Sequence, residues 1–378
     1  ANCMDRPDDT WLSQRFCSNP FERIETQPNQ DIHFCPAAWQ PAAIGSLSDD
    51  PETAWNSPKA QEIRRSILAG DFSHCCHLKC PRITGRDLPA REEILSEIDP
   101  SPAVAYYREI IKTGRTRLDK PPACASLGHD LSSNTACPSQ ATKPVQLKKY
   151  DADRLDWIFN EPYARFLSKA DRITIGREGE PFASRHFLNF LKTYCAEIEP
   201  RKALDLHTNG LLLTEAVWNR LDLWSHVGSV HVSVDAATPE TYNELRPGRQ
   251  LVQLLPNLSF LGHLRRLKAI DTFQMNFVVR QENYTEMPDF VRLARRVGAT
   301  GVLFHRVHDQ QVREEGEGPA VDVADPRHSD HEALQLILED PVLNAQDVEL
   351  VDLKLAPRHR DVSGAACSGA TPDQVRQG

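Results

Sequence analysis

From Ala123 onward the chain alternates short apolar runs with longer amphipathic stretches, at roughly 30-residue spacing, and this alternation limits the fold more than any other feature. The spacing predicts strands over 123–128, 171–176, 203–207, 229–234, 273–279 and 301–305. Helices are expected between them, near 151–167, 182–197, 214–223, 239–266 and 284–297. Thr214 and Thr238 are natural N-caps, and Pro239 suits a first helical turn. Repeated strand–helix units imply a parallel α/β sheet. The runs ITI, ALDL, VHVSV and MNFVV read as strands buried on both faces. A doubly wound sheet and a partial barrel both satisfy this pattern, and in either the ligands bind at the carboxyl ends of the strands.

Residues 1–85 have a different character. Six of the ten cysteines fall in the first 80 residues: Cys3, Cys17, Cys35, Cys75, Cys76 and Cys80. One helix is clear there, with Ser57 as its cap, Pro58 in its first turn, Ile63, Ile67 and Leu68 on its apolar face, and Gly70 as its stop. A secreted disulfide scaffold is short and carries a leader, whereas here Asp5, Arg6, Asp8 and Asp9 stand where a leader's apolar core would lie. A cytoplasmic protein whose clustered cysteines bind metal is therefore expected. The domains read as a cysteine-rich unit over 1–85, a proline-rich connector over 86–121, the α/β portion over 122–310, and an extension over 311–378 with one helix near His328–Leu338.

A net charge of −9 without any basic run argues against nucleic acid. No window reaches the roughly 18 unbroken apolar residues of a membrane span.

The strand ends carry the polar residues. Strand one runs into Gly128-His129-Asp130 and then Ser133-Asn134-Thr135-Ala136-Cys137-Pro138-Ser139-Gln140. The later strands end in Gly176-Arg177-Glu178-Gly179-Glu180-Pro181, in His207-Thr208-Asn209-Gly210, in Ser233-Val234-Asp235-Ala236, in Arg280-Gln281-Glu282-Asn283, and in His305-Arg306. In their order these motifs, ITIGREGEPFAS, LHTNGLLLTE, VHVSVDAATPETYNELR and MNFVVRQENYTEM, resemble the radical-SAM barrel of the radical-SAM/SPASM family. The resemblance covers about 120–310 together with the N-terminal cysteine segment. It implies an α/β fold, a partial (β/α)6 TIM-like barrel with an N-terminal SPASM-like domain. It also implies contacts to S-adenosylmethionine from Glu178, Glu180, Thr208, Asn209 and Ser233.

The chain departs from that family where its C-x3-C-x2-C loop would stand, since Cys137 alone remains of the three thiolates. A [4Fe–4S] cluster is held by thiolates, and one of them does not suffice. Arg177 stands where the family has Gly. The resemblance thus implies a homologue that does not cleave S-adenosylmethionine, with Cys137 reduced to a small buried hydrophobe and S-adenosylmethionine binding doubtful. In the segment 17–81 it implies an auxiliary [4Fe–4S] cluster on Cys17, Cys35, Cys75 and Cys80, with Cys76 able to replace Cys75 and Cys3 a weaker candidate. Zinc is the alternative occupant.

Two further readings stay open. His129, Glu178, Glu180, His207, Asp235, Arg280, His305 and His308 would line the barrel mouth, where imidazole and carboxylate could hold one divalent metal for non-radical chemistry. Arg177, Arg280 and Arg306 could hold an anion there. Alternatively, an active cluster would use Cys124, His129 and Cys137. The expected partners are a small-molecule or peptide substrate, or an active partner enzyme.

Overall fold

The computed structural model describes residues 10–134, 146–307 and 321–353. Cys3, Cys137 and His308 lie outside the described residues. The chain forms two compact units, one from 10–129 and 157–174, the other from the remaining described segments.

In the first unit, β1 (Arg23–Thr26) pairs antiparallel with β2 (Asp31–His33), which pairs antiparallel with β3 (Gly45–Ser46). On its other edge β1 pairs parallel with β4 (Cys124–Leu127), in register from Arg23–Cys124 to Thr26–Leu127. The first three strands are too short and too mixed in polarity to stand out in the sequence.

The helix Pro58–Ala69 forms as its sequence dictates. The Ser57 hydroxyl accepts the Ala60 N–H at 3.1 Å, and Gly70 ends it with φ 79°. Ala60, Ile63 and Ile67 are fully buried along its inner face. Arg64 lies among them, also fully buried, its guanidinium 4.4 Å from the Trp55 ring centroid and 5.1 Å from that of Phe34.

The single helix expected over 151–167 is divided. An α-helix over Lys149–Ile158 gives way to a π-helical turn over Phe159–Tyr163 and an α-turn over Ala164–Leu167. Pro162, which has no N–H to donate, sits inside the wide turn.

Chain order continues with β5 (Arg172–Ile175) and then the five strands of the second unit: β6 (Leu204–Thr208), β7 (Val227–Ser233), β8 (Thr272–Val279), β9 (Gly301–Arg306) and β10 (Val348–Val351). These five neighbour one another in sequence order, all parallel. No reversal of strand order occurs within the five, unlike the switch point of a doubly wound sheet. The fold is α/β with mostly parallel strands, and β10 lies beyond the six strands that the sequence pattern marks. The long helix expected over 239–266 breaks into Pro239–Leu245 and Leu251–Arg266, where Pro247 and Gly248 (φ 78°) interrupt it.

The two-sided burial expected of these strands holds for ITI and ALDL, whose residues are all buried, and fails for VHVSV and MNFVV, which alternate. In β8, Phe273, Met275, Phe277 and Val279 are buried while Thr272, Gln274, Asn276 and Val278 alternate half-buried. Leu204, Leu206, Val230 and Val232 continue the apolar face, and Asp205, His207, Ser229 and His231 continue the polar one. One face of the sheet is core and the other is polar. Among the described residues, no helix is long and apolar enough to cross a membrane.

Candidate metal and ligand sites

In the first unit Cys17, Cys35, Cys75 and Cys80 are free cysteines. The first precedes a short helix, Cys35 follows β2, and the other two flank the turn that enters the helix Pro81–Thr84. Burial pushes the Cys17 thiol up, and the nearby charge of Cys80 adds to it against Arg82 and Asn19. Cys35 is pushed to about 12 by burial and then by Cys17 and Cys80. Burial holds Cys75 well above the ordinary thiol range, reinforced by all three others. Every pair of the four is thus electrostatically coupled, so the thiols converge on one place.

Two donors reach this group. Asn19 Nδ2 donates to Cys35 Sγ at 3.1 Å, and Arg82 Nη1 approaches Cys17 Sγ at 3.9 Å. Yet no three of the four sulfurs lie within 4.8 Å of one another. Tetrahedral zinc, with Zn–S of about 2.3 Å, holds its sulfurs about 3.8 Å apart.

Two sequence expectations fail here. Cys76 is fully buried and disulfide-bonded, so it does not substitute for Cys75. Cys124 is likewise disulfide-bonded, and His129 is buried, its Nδ1 2.8 Å from Thr26 Oγ1 and its ring stacked on Phe159. A cluster ligated by Cys124 loses that ligand.

In the second unit, the turn after β5 brings part of the expected cofactor set together. Gly176 has φ 91°, and a Cβ there would lie 2.1 Å from the His207 carbonyl oxygen. A Cβ on Gly179 would meet the Asp130 carbonyl oxygen at 2.6 Å. Both positions require glycine. The turn they permit buries Glu180, whose carboxylate accepts from Thr208 Oγ1 at 2.8 Å, from the Asn209 N–H at 2.7 Å and from the Phe182 N–H at 3.2 Å. Burial raises the Glu180 carboxyl to about 7 against those hydrogen bonds. Asn209 Nδ2 also donates to Asn134 Oδ1 at 2.7 Å. Ser233 lies at the end of β7, and its carbonyl oxygen accepts from Arg246. Arg177 and Glu178 are exposed.

A different group forms on the polar sheet face. Asp205 and His207 are two residues apart on β6, and the register sets His207 beside His231 of β7. The two imidazoles stack with centroids 4.4 Å apart and planes 11° from parallel. Asp205 lies 3.1 Å from His231 Nε2 through Oδ1 and 3.7 Å from His207 Nε2 through Oδ2. Among the described residues this is the one set of three His, Cys, Asp or Glu ligand atoms all within 4.8 Å of one another. Burial acts to raise the Asp205 carboxyl, but hydrogen bonds and charge from both histidines hold it well below the usual range. Burial lowers His207. Of the expected mouth residues His207 alone belongs to this set. Asp205 and His231 were missed, although strand alternation places Asp205 and His207 on one face.

The other mouth residues are structural or dispersed. Asp235 binds Arg246 at 2.6 Å and accepts the Val278 N–H at 2.9 Å. Arg280 pairs with Glu282 at 3.4 Å, and Arg306 with Asp322 at 2.6 Å. Arg280 and Arg306 each therefore already carry a carboxylate partner.

No protein-family model and no curated protein matches the chain. Among solved structures, Streptococcus suis SuiB bound to precursor peptide SuiA matches at TM-score 0.44 and 13% identity, over 79% of this chain and 64% of SuiB. The matched region therefore spans less than two thirds of SuiB. TYW1 with a lysine-pyruvate adduct bound matches at TM-score 0.35 and 14% identity, over 60% of this chain and 72% of that one. Native anSMEcpe with bound AdoMet and Cp18Cys peptide matches at 0.36 and 16%, over 58% and 60%.

Proposed function

We propose that this chain is a radical-SAM/SPASM-like iron–sulfur protein that keeps an auxiliary [4Fe–4S] site and lacks the site that cleaves S-adenosylmethionine. It binds a small molecule, a peptide or an active partner enzyme without radical catalysis of its own. The observation that carries this reading is the convergence of four free thiols, buried Cys17 and half-buried Cys35, Cys75 and Cys80, on one place.

The donor set suits the cluster. Four thiolates are its usual ligands, and no three of the sulfurs lie as close together as tetrahedral zinc holds them, which leaves room for a larger body. Asn19 and Arg82 donate toward two of the sulfurs, which is how a protein tunes such a cluster. With all four positions filled, the cluster would be structural or would relay electrons. Cytoplasmic placement belongs to the same reading and is supported by the free thiols, while the disulfide-bonded Cys76 and Cys124 weigh against it.

The loss of cleavage rests on the sequence between Ser133 and Gln140, which retains Cys137 alone. S-adenosylmethionine, if it binds, would contact Glu180, Thr208, Asn209 and Ser233, with Glu178 at the edge. A second reading, an enzyme working through a metal without radicals, is favoured by the Asp205–His207–His231 group.

Anaerobic reconstitution followed by iron, zinc and sulfide analysis tests the first reading. About four irons and four sulfides per chain, lost in Cys35→Ala and kept in Cys137→Ala, are expected. About eight irons, with 5′-deoxyadenosine formed from S-adenosylmethionine, would restore radical chemistry. Zinc without sulfide would make the N-terminal site a structural staple.

A further inference from the structure

We infer that Asp205, His207 and His231 form a binding site for one divalent transition-metal ion on the polar face of the sheet, independent of the cysteine site. Three features of the geometry lead there.

The first is ligand spacing. Metal–nitrogen and metal–oxygen bonds of about 2.0–2.2 Å set neighbouring ligand atoms about 3.3 Å apart in a tetrahedral site. Asp205 lies 3.1 and 3.7 Å from the two Nε2 atoms. An ion replacing the proton shared across the closer pair needs little movement of any side chain.

The second is how the ligands are held. All three stand on adjacent parallel strands, paired from Asp205–Ser229 to Thr208–Val232, rather than on loops. Leu204, Leu206, Val230 and Val232 anchor the same strands from the apolar face, each fully buried. A site built on packed strands keeps its geometry when empty.

The third is ligand type. Two imidazoles and one carboxylate suit zinc, ferrous iron, cobalt or nickel and disfavour calcium and magnesium, which take oxygen. Three protein ligands leave positions for water or a small oxygen ligand, the arrangement of a reactive rather than a sealed site. The side chains keep 10–21% of their surface exposed, so solvent reaches them.

Cobalt(II) titration of the full chain, followed optically under anaerobic conditions, separates this site from the cysteines. Nitrogen and oxygen ligands give d–d absorption alone, whereas thiolates add intense sulfur-to-metal charge transfer. The expected result is about one equivalent bound with d–d bands free of sulfur charge transfer, in addition to any cobalt held by the thiols, and this equivalent is unchanged in Cys35→Ala. Binding should weaken at least tenfold in His231→Gln and Asp205→Asn, with His305→Ala as the unaffected control. Paramagnetic broadening of two histidine imidazole signals in the unaltered protein gives a readout that does not depend on any variant folding. Charge-transfer bands alone, equal binding in His231→Gln, or no broadened imidazole pair would overturn the proposal. None of these results bears on iron and sulfide content, so the cluster reading stands or falls separately.

Discussion

His207 and His231 sit side by side on neighbouring parallel strands, rings 4.4 Å apart, and both turn Nε2 toward one carboxylate, Asp205. Stacked imidazoles that both carried charge would repel, so the carboxylate between their nitrogens is what makes the pair tolerable in a half-buried place. It follows that Asp205 and each histidine are energetically coupled. A double-mutant cycle with Asp205→Asn and His231→Gln, read from urea unfolding without added metal, should give a coupling of about 1–3 kcal/mol. Additive single changes would mean that the 3.1 Å contact contributes nothing measurable.

Glu180 predicts a pH dependence. Its carboxyl titrates at about 7 in the folded chain and near the ordinary 4.5 when unfolded. Between those values the folded state binds more protons, so stability falls as pH rises through the window. The contribution is fully present below about 4.5 and lost above about 7, and is worth about 3 kcal/mol. Chemical unfolding from pH 4.5 to 8 should show this decline, and Glu180→Gln should flatten it. An unchanged slope in the variant would assign the dependence to another group.

Arg64 is fully buried and is held by neutral oxygens: its Nε donates to the Pro20 carbonyl at 2.8 Å, and Nη1 to the Thr116 carbonyl at 2.8 Å and to Asn56 Oδ1 at 3.3 Å. Burial lowers it to about 9. The Trp55 and Phe34 rings supply part of the stabilisation that a carboxylate would. Arg64→Ala leaves two carbonyls unmet and opens a cavity, which should cost about 3–5 kcal/mol. Arg64→Lys should recover less than half, because an ammonium cannot reach both carbonyls with the same fork. Equal stability of wild type and Arg64→Ala in thermal unfolding would refute this account.

Much of this fold can be read in the sequence where local chemistry and tertiary demand agree. Ser57, Pro58 and Gly70 bracket their helix because cap, first-turn proline and left-handed stop are each decided by one residue. The strands from β6 to β9 announce themselves by apolar residues that the core needs at those places. Their polar alternates carry the metal-type group, and it escaped notice because Asp205 and His207 join His231 through strand register, which composition does not encode. The helix breaks at Pro162 and Pro247 were visible as prolines, but apolar periodicity outweighed them. Cys75 and Cys76 are neighbours of the same chemistry, and only packing makes one free and the other disulfide-bonded.

Asn19 offers a test of the cysteine site that ligand removal does not. Its amide donates to Cys35 Sγ at 3.1 Å, and the same contact lowers the Cys35 thiol against the burial that raises it. A donor aimed at a ligating sulfur stabilises the more negative, reduced form of a cluster. Asn19→Ala should therefore leave iron and sulfide content unchanged while making the reduction potential more negative. One hydrogen bond of about 1 kcal/mol corresponds to about 40 mV in a one-electron couple. Potentiometric titration of reconstituted wild type and Asn19→Ala measures the difference directly. If the cluster assembles and the two potentials coincide, Asn19 is merely a neighbour of the site. If Asn19→Ala takes up zinc alone, the four thiols serve a structural ion instead.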